Sequence, residues 1–308
     1  MGLPTKDQSL HNLCQQKHTY TRKRNKEEHT NLILLDTTCL HPRNTSTKVF
    51  ILDGTTLTSK KTVNPLLVEY LQTLRKRGLL VLIATGRTIF EIRKILPKEF
   101  KVDGIVASNG MNIFDASKQI IKKDIPSNTV QQLIDQSIEF GIHHEIYHQD
   151  GTVTAMKTPF QSETTKLKLH NFRKYIEWTS SIHTNNVEKI IFFDDHTPHV
   201  ANWFENLKRM QKSLEFSAAL SSSHLIDVNG AGASKATGTT LLLSKLNIAF
   251  DHVMAFGDGG NDIPLFKKVG KSIAMKNARK EVQLHADEIS KYTNDENGLY
   301  HHLHQLFH

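Results

Sequence analysis

Several short tracts of this 308-residue chain hold side chains that do chemistry when brought together: Asp53, Thr85-Gly86-Arg87, Ser108-Asn109-Gly110, Lys235 and the run Gly257-Asp258-Gly259-Gly260-Asn261-Asp262. Asp53, Asp258 and Asp262 are carboxylates with no Cys and no His among them, a hard-oxygen set that suits Mg²⁺ better than Zn²⁺. Thr85 and the backbone of Gly86 offer a hydroxyl and N–H groups to phosphate oxygens. Lys235, at the start of a predicted helix, adds a cation that neutralises charge on a phosphoryl group in transit. Together these residue types describe metal-assisted phosphoryl chemistry.

For them to meet, distant stretches must reach one edge of a sheet. Residues 48–52 are a short apolar run that ends at Asp53, as a buried parallel strand does. Asn64 then caps a helix with Pro65 at its first position, an apolar stripe of Leu66, Leu67, Tyr70, Leu71 and Leu74, and Gly78 as its stop. Residues 79–84 predict a second strand running into Thr85-Gly86-Arg87, and 89–96 a second helix. Residues 105–107 predict a third strand running into Ser108-Asn109-Gly110. This βαβαβ order predicts a Rossmann-like parallel sheet wrapped by helices, with ligands at the carboxyl ends of its strands.

The middle of the chain changes style. A helix bearing Val130, Leu133, Ile134 and Ile138 ends at Gly141, and residues 142–148 and 153–156 flank an Asp150-Gly151 turn as a hairpin. A strand over 189–193, a helix with Val200, Trp203, Phe204, Leu207 and Met210, and a strand near 225–228 complete an α+β unit, with Trp203 and Phe204 in its interior. The α/β pattern then resumes: Ser234 as an N-cap, a strand over 253–256 entering the acidic loop, a strand over 272–275, and Asn277 as the cap of the next helix. The expected fold class is therefore α/β with an inserted α+β unit. Residues 46–117 and 222–308 form the sheet core, 118–221 the insertion, and 1–45 a basic disordered extension without helical or strand periodicity.

Composition narrows the function further. A formal charge of +8 points to anionic partners. Both cysteines, Cys14 and Cys39, precede residue 46, so no disulfide framework or Cys-ligated metal is expected beyond them, and a cytoplasmic setting follows. No apolar run approaches the roughly 18 residues of a membrane span, and no nucleic-acid-binding motif stands in the chain, so neither membrane nor nucleic acid is an expected partner. The 18 histidines show no fixed spacing to carboxylates and receive no metal role.

From residue 47 onward the chain resembles the Cof-type phosphatases of the haloacid dehalogenase-like hydrolase superfamily. The likeness rests on Asp53-Gly54-Thr55, Ala84-Thr85-Gly86-Arg87, Gly232-Ala233-Ser234-Lys235 and the acidic loop 257–262, with Ala107-Ser108-Asn109-Gly110 and Ala274-Met275-Lys276-Asn277-Ala278 as further landmarks. The resemblance implies that Thr85 and Gly86 bind the phosphoryl group and that Lys235 stabilises its charge. It also implies that Asp258 is a direct Mg²⁺ ligand, Asp262 a supporting acid, Asn261 an amide on substrate or phosphate, and the insertion a cap over the substrate.

One departure stands out. The family's first strand ends Asp-x-Asp-Gly-Thr, the first Asp being nucleophile and metal ligand and the second an acid and base; here the text is Ile51-Leu52-Asp53-Gly54-Thr55. Aligned on Asp-Gly-Thr, Asp53 is the acid and base and Ile51 takes the nucleophile's place. Aligned on the apolar strand, Asp53 is the nucleophile and metal ligand, and two residues are missing after it. The second alignment is the one adopted. The expectation is a Mg²⁺-dependent phosphatase acting on a small phosphorylated metabolite through an aspartyl-phosphate on Asp53, weakened by the absent carboxylate. The alternative is an inactive relative that binds phosphorylated ligands or a protein partner.

Overall fold

The computed structural model describes residues 47–116, 118–156 and 176–307, the stretch 47–53 through its backbone alone. The expectation of a disordered extension falls on residues outside these. The elements follow in chain order: β1 (Thr47–Ile51), α1 (Pro65–Lys76), β2 (Leu80–Ala84), α2 (Ile89–Ile95), β3 (Gly104–Ala107), β4 (Asn112–Asp115) and β5 (Lys118–Lys122). Next come α3 (Ser127–Phe140), β6 (His143–His148), β7 (Val153–Met156), β8 (Ile176–Thr179), β9 (Val187–Phe193), α4 (Thr197–Met210), β10 (Phe216–Ser222) and β11 (Leu225–Gly230). The chain closes with α5 (Lys235–Lys245), β12 (Val253–Gly257), α6 (Ile263–Phe266), β13 (Lys271–Ala274), α7 (Lys280–Gln283), β14 (Glu288–Ile289) and α8 (Gly298–Phe307).

An eight-stranded sheet has the order β14-β13-β12-β1-β2-β3-β4-β5, parallel from β14 to β3 and antiparallel at β4 and β5. The strands that precede the chemistry-bearing loops are thus neighbours, with β1 between β12 and β2. Local chemistry explains the helix starts: the Asn64 side chain accepts from Leu66 N, and Thr88 and Glu91 cap each other's backbone N–H at the start of α2. Ser234 and Thr237 do the same for α5, which fixes the helix whose first residue is Lys235. Leu57, Leu74, Ile83 and Phe256 are fully enclosed on one side of the sheet and Leu82, Ala255 and Leu242 on the other. Each of the leucine, isoleucine and phenylalanine side chains among these contributes about 1.5–3 kcal/mol.

All the strands of a six-stranded sheet, β10-β11-β9-β6-β7-β8, come from the stretch between β5 and α5. It is antiparallel except where β7 and β8 run parallel. Trp203 lies buried among Phe192 and Phe140, in the interior of this unit as the stripe predicted. Sheet membership differs from the expected boundaries at both crossings. Residues Lys118–Lys122 form the edge strand of the larger sheet, because they pair with β4, and Leu225–Gly230 sits inside the smaller sheet between β9 and β10.

Candidate active site

Directly after β1 the backbone winds through a π-helical turn, Leu52–Thr56, which carries Asp53. Gly54 adopts φ 67°, and a Cβ placed there would lie 1.9 Å from Oδ2 of Asp258, so only glycine lets this turn pass so close to the carboxylate. The next residue confirms the approach, since Thr55 Oγ1 donates to Asp258 Oδ1 at 3.1 Å. Asn277 holds the other side of the turn: its Nδ2 donates to Gly54 O at 2.7 Å while its Oδ1 accepts from Asn294 N at 2.9 Å. This corrects the expectation that Asn277 caps a helix. The cap position of α7 belongs to Arg279, and the Asn277 amide is spent bridging two loops.

The acidic loop is built around Asp262. Its Oδ2 accepts from the backbone N–H of Asp258 at 3.1 Å and Gly259 at 2.9 Å, and its Oδ1 accepts from Lys235 Nζ at 2.7 Å. Lys235 also donates to Asn261 Oδ1 at 3.2 Å. Both members of the Lys235–Asp262 pair are buried. The Asp262 carboxylate therefore shapes the loop and neutralises Lys235, whereas Asp258 turns its oxygens toward Gly54 and Thr55. A Cβ on Gly257 would come within 2.7 Å of Asp262 Oδ2, which is why glycine ends β12.

On the neighbouring strand, Thr85 Oγ1 accepts from Arg87 N at 3.1 Å, an acceptor role that leaves the hydroxyl proton for donation. Thr85, Gly86, Lys235, Asp258, Asn261 and Asp262 line a single cavity of about 270 Å³. These six sequence-derived residues are thus brought together, with Asp53 placed by its backbone one residue before Gly54. Ser108, Asn109 and Gly110 are not among the lining residues: Ser108 Oγ donates to Glu188 Oε2 at 2.6 Å and Asn109 Nδ2 to Asn229 Oδ1 at 2.9 Å. Among the described residues no three His, Cys, Asp or Glu side chains gather as a metal-binding set. The donor chemistry nonetheless fits Mg²⁺: the Asp258 carboxylate lies in a cradle formed by a glycine and a hydroxyl, beside the turn that carries Asp53.

Part of the cavity wall was not anticipated. From the six-stranded sheet come Lys189, Ile191, Ser221, Leu225 and Asp227, and from the start of α2 comes Glu91. Lys189 Nζ donates to Gly86 O at 3.1 Å and to Glu91 Oε2 at 3.2 Å. Burial works to lower its pKa, but Glu91, Asp227 and Glu188 outweigh it and hold the ammonium above its ordinary value. Burial pushes the Asp227 carboxyl up against the opposing pull of Lys189, and Ser221 Oγ donates to it. The signal for these residues was the pair Glu188-Lys189 inside an otherwise apolar strand, charges that a buried strand carries only when partnered.

The family of haloacid dehalogenase-like hydrolases matches residues 49–303. The 5-amino-6-(5-phospho-D-ribitylamino)uracil phosphatase YwtE of Bacillus subtilis is 26% identical over 279 residues, covering 83% of this chain and 96% of its own length. The HMP-PP phosphatase of Escherichia fergusonii is 24% identical over 241 residues, covering 76% and 85% respectively. Among solved structures BT1666 of Bacteroides thetaiotaomicron, described among phosphatases of the same superfamily, superposes with a TM-score of 0.71 at 27% identity, covering 87% of this chain and 98% of its own. With the matched family spanning both sheets and both halves of the cavity, this chain belongs to the haloacid dehalogenase-like hydrolases, among their Cof-type phosphatases.

Proposed function

We propose that the cavity hydrolyses a small phosphorylated metabolite and that Asp53 is the residue that takes the phosphoryl group. The observation that carries the proposal is the contact of Gly54 with Asp258, which sets the turn bearing Asp53 against the acidic loop in the cavity that Lys235 and Thr85 also line. Asp53 and Asp258 would hold Mg²⁺, with Asp262 fixing the loop behind them. The bound ion supplies charge neutralisation at the phosphoryl oxygens.

The chain's own groups then have distinct tasks. Thr85 Oγ1 and the Gly86 backbone receive the phosphate oxygens, Lys235 balances their charge, and the Asn261 amide contacts phosphate or substrate. The Asp53 carboxylate attacks phosphorus, the P–O ester bond breaks, and the alcohol leaves with a proton drawn from water. Water then attacks the aspartyl-phosphate and releases inorganic phosphate with Asp53 restored. Since the first motif holds one carboxylate, the proton transfers lack a dedicated side chain and turnover is slow. The six-stranded sheet serves as the cap that closes over the substrate and excludes water. Relatives named for a phosphoribitylamino-uracil and for HMP-PP support a small phosphorylated metabolite as substrate class, and the two early cysteines support a cytoplasmic setting.

One observation favours a second reading. β1 ends at Ile51, which pairs with Ala84, so Asp53 lies beyond the strand and within the turn. A chain without a carboxylate at that strand end would bind phosphorylated ligands without turning them over. Mg²⁺-dependent hydrolysis of para-nitrophenyl phosphate by the wild type, lost in Asp53→Asn, supports the phosphatase. Phosphate binding without hydrolysis under any divalent metal supports the binder.

A further inference from the structure

Adjacent residues of β9 pin two loops of the larger sheet at once. Glu188 accepts from Ser108 Oγ at 2.6 Å and from the Asn112 amide, while Lys189 reaches Gly86 O and Glu91. Successive strand residues face opposite ways, so one strand of the smaller sheet supports both the loop after β2 and the loop after β3. The Lys189 contact has a further consequence for the cavity. The carbonyl it holds, Gly86 O, belongs to the peptide unit whose N–H is that of Arg87, and that N–H donates to Thr85 Oγ1 at 3.1 Å. The peptide is planar, so fixing its carbonyl fixes the direction of its N–H. Polarising the carbonyl with an ammonium also strengthens the N–H as a donor.

We infer that Lys189 is a positioning residue for phosphate binding: from the inserted sheet, through the Gly86–Arg87 peptide, it holds the Thr85 hydroxyl with its lone pair occupied and its proton turned to the ligand. Glu91 completes the device. Its Oε2 accepts from Thr88 N at 2.7 Å as well as from Lys189 Nζ, so the anchor for the ammonium is itself fixed to the first turn of α2. The ammonium also lies over the Tyr147 ring, 4.2 Å from its centroid, a cation–π contact that adds to its anchoring. The phosphate loop is then complete only while the smaller sheet is seated on it. This inference rests on the proposed phosphoryl site at Thr85 and Lys235.

Its test is a double-mutant cycle read by calorimetric titration of inorganic phosphate in the presence of MgCl₂, on the full chain. Thr85→Val removes a hydrogen bond to a charged ligand and weakens phosphate by about 10- to 100-fold. Lys189→Met weakens it at least about tenfold, Lys189→Arg restores most of the affinity, and Lys189→Met adds less than about twofold on the Thr85→Val background. Val200→Ala, a cavity in the interior of the inserted unit, lowers Tm and leaves phosphate affinity as in the wild type. Additive losses in the double variant, or unchanged affinity in folded Lys189→Met, overturn the inference while leaving the phosphoryl site standing. Should Lys189→Met fail to fold, Glu91→Gln replaces it in the same cycle, with weakened binding that vanishes on the Thr85→Val background expected and additive weakening fatal. A wild type that binds no phosphate overturns the inference and the proposed function together.

Discussion

Replacing Asp262 by Asn keeps the shape of the acidic loop and removes its charge. The carboxylate takes two backbone N–H bonds through Oδ2 and the Lys235 ammonium through Oδ1 at 2.7 Å, with side-chain exposures of 1% for Asp262 and 6% for Lys235. An amide satisfies the backbone donors with its oxygen, and its NH₂ then faces the ammonium, donor against donor. Lys235 is left buried without its counter-charge, a loss that costs about 3–5 kcal/mol when a buried pair is broken on one side. Urea unfolding at pH 7 measures it, and the expected loss persists at high salt because the pair is shielded from mobile ions. The exposed pair Lys208–Glu205, at 49% and 59% side-chain exposure, is the internal comparison: Lys208→Ala costs less than about 1 kcal/mol. A loss below about 1 kcal/mol for Asp262→Asn would refute the view that this pair holds the loop.

Two other outcomes follow from the same geometry. Burial, aided by neighbouring His143, lowers the His144 pKa to about 4, and its Nε2 accepts from Met156 N, as a neutral ring does. The unfolded chain binds the proton that the fold refuses, so this contribution is intact above about pH 6.5 and falls by about 2 kcal/mol between pH 7 and 5; urea midpoints over that range show the slope, and His144→Gln flattens it. Gly54→Ala forces a Cβ onto the Asp258 carboxylate at a φ of 67°, so divalent-metal affinity read by calorimetry drops at least tenfold, and an unchanged affinity would contradict the proposed metal position.

What the sequence made legible is what local chemistry decides. Asn64-Pro65 and Ser234 mark helix starts because a cap needs only its own turn, and both side chains perform that role. The apolar runs before Thr85 and Asp258 announce parallel strands because both faces of such strands are buried. Lys118–Lys122 escaped notice because an edge strand needs no apolar face: Lys118, Gln119 and Lys122 are exposed. Phe216–Ser222 escaped as well, since its small and polar residues lack a strong alternation. Asn277 illustrates the harder limit. Its residue type suits a helix cap, and only the fold reveals that Gly54 O and Asn294 N take up the two ends of its amide. Lys189 is alike in this respect, because its partners Gly86 and Glu91 lie about a hundred positions upstream.

Trapping the phosphoryl group during turnover shows directly whether Asp53 accepts it. Acid quenching during turnover of a ³²P-labelled sugar phosphate with Mg²⁺, followed by peptide mapping, is predicted to place the label on the peptide containing Asp53 and to yield none from Asp53→Asn. Turnover without label at Asp53, or turnover undiminished in Asp53→Asn, would contradict the account.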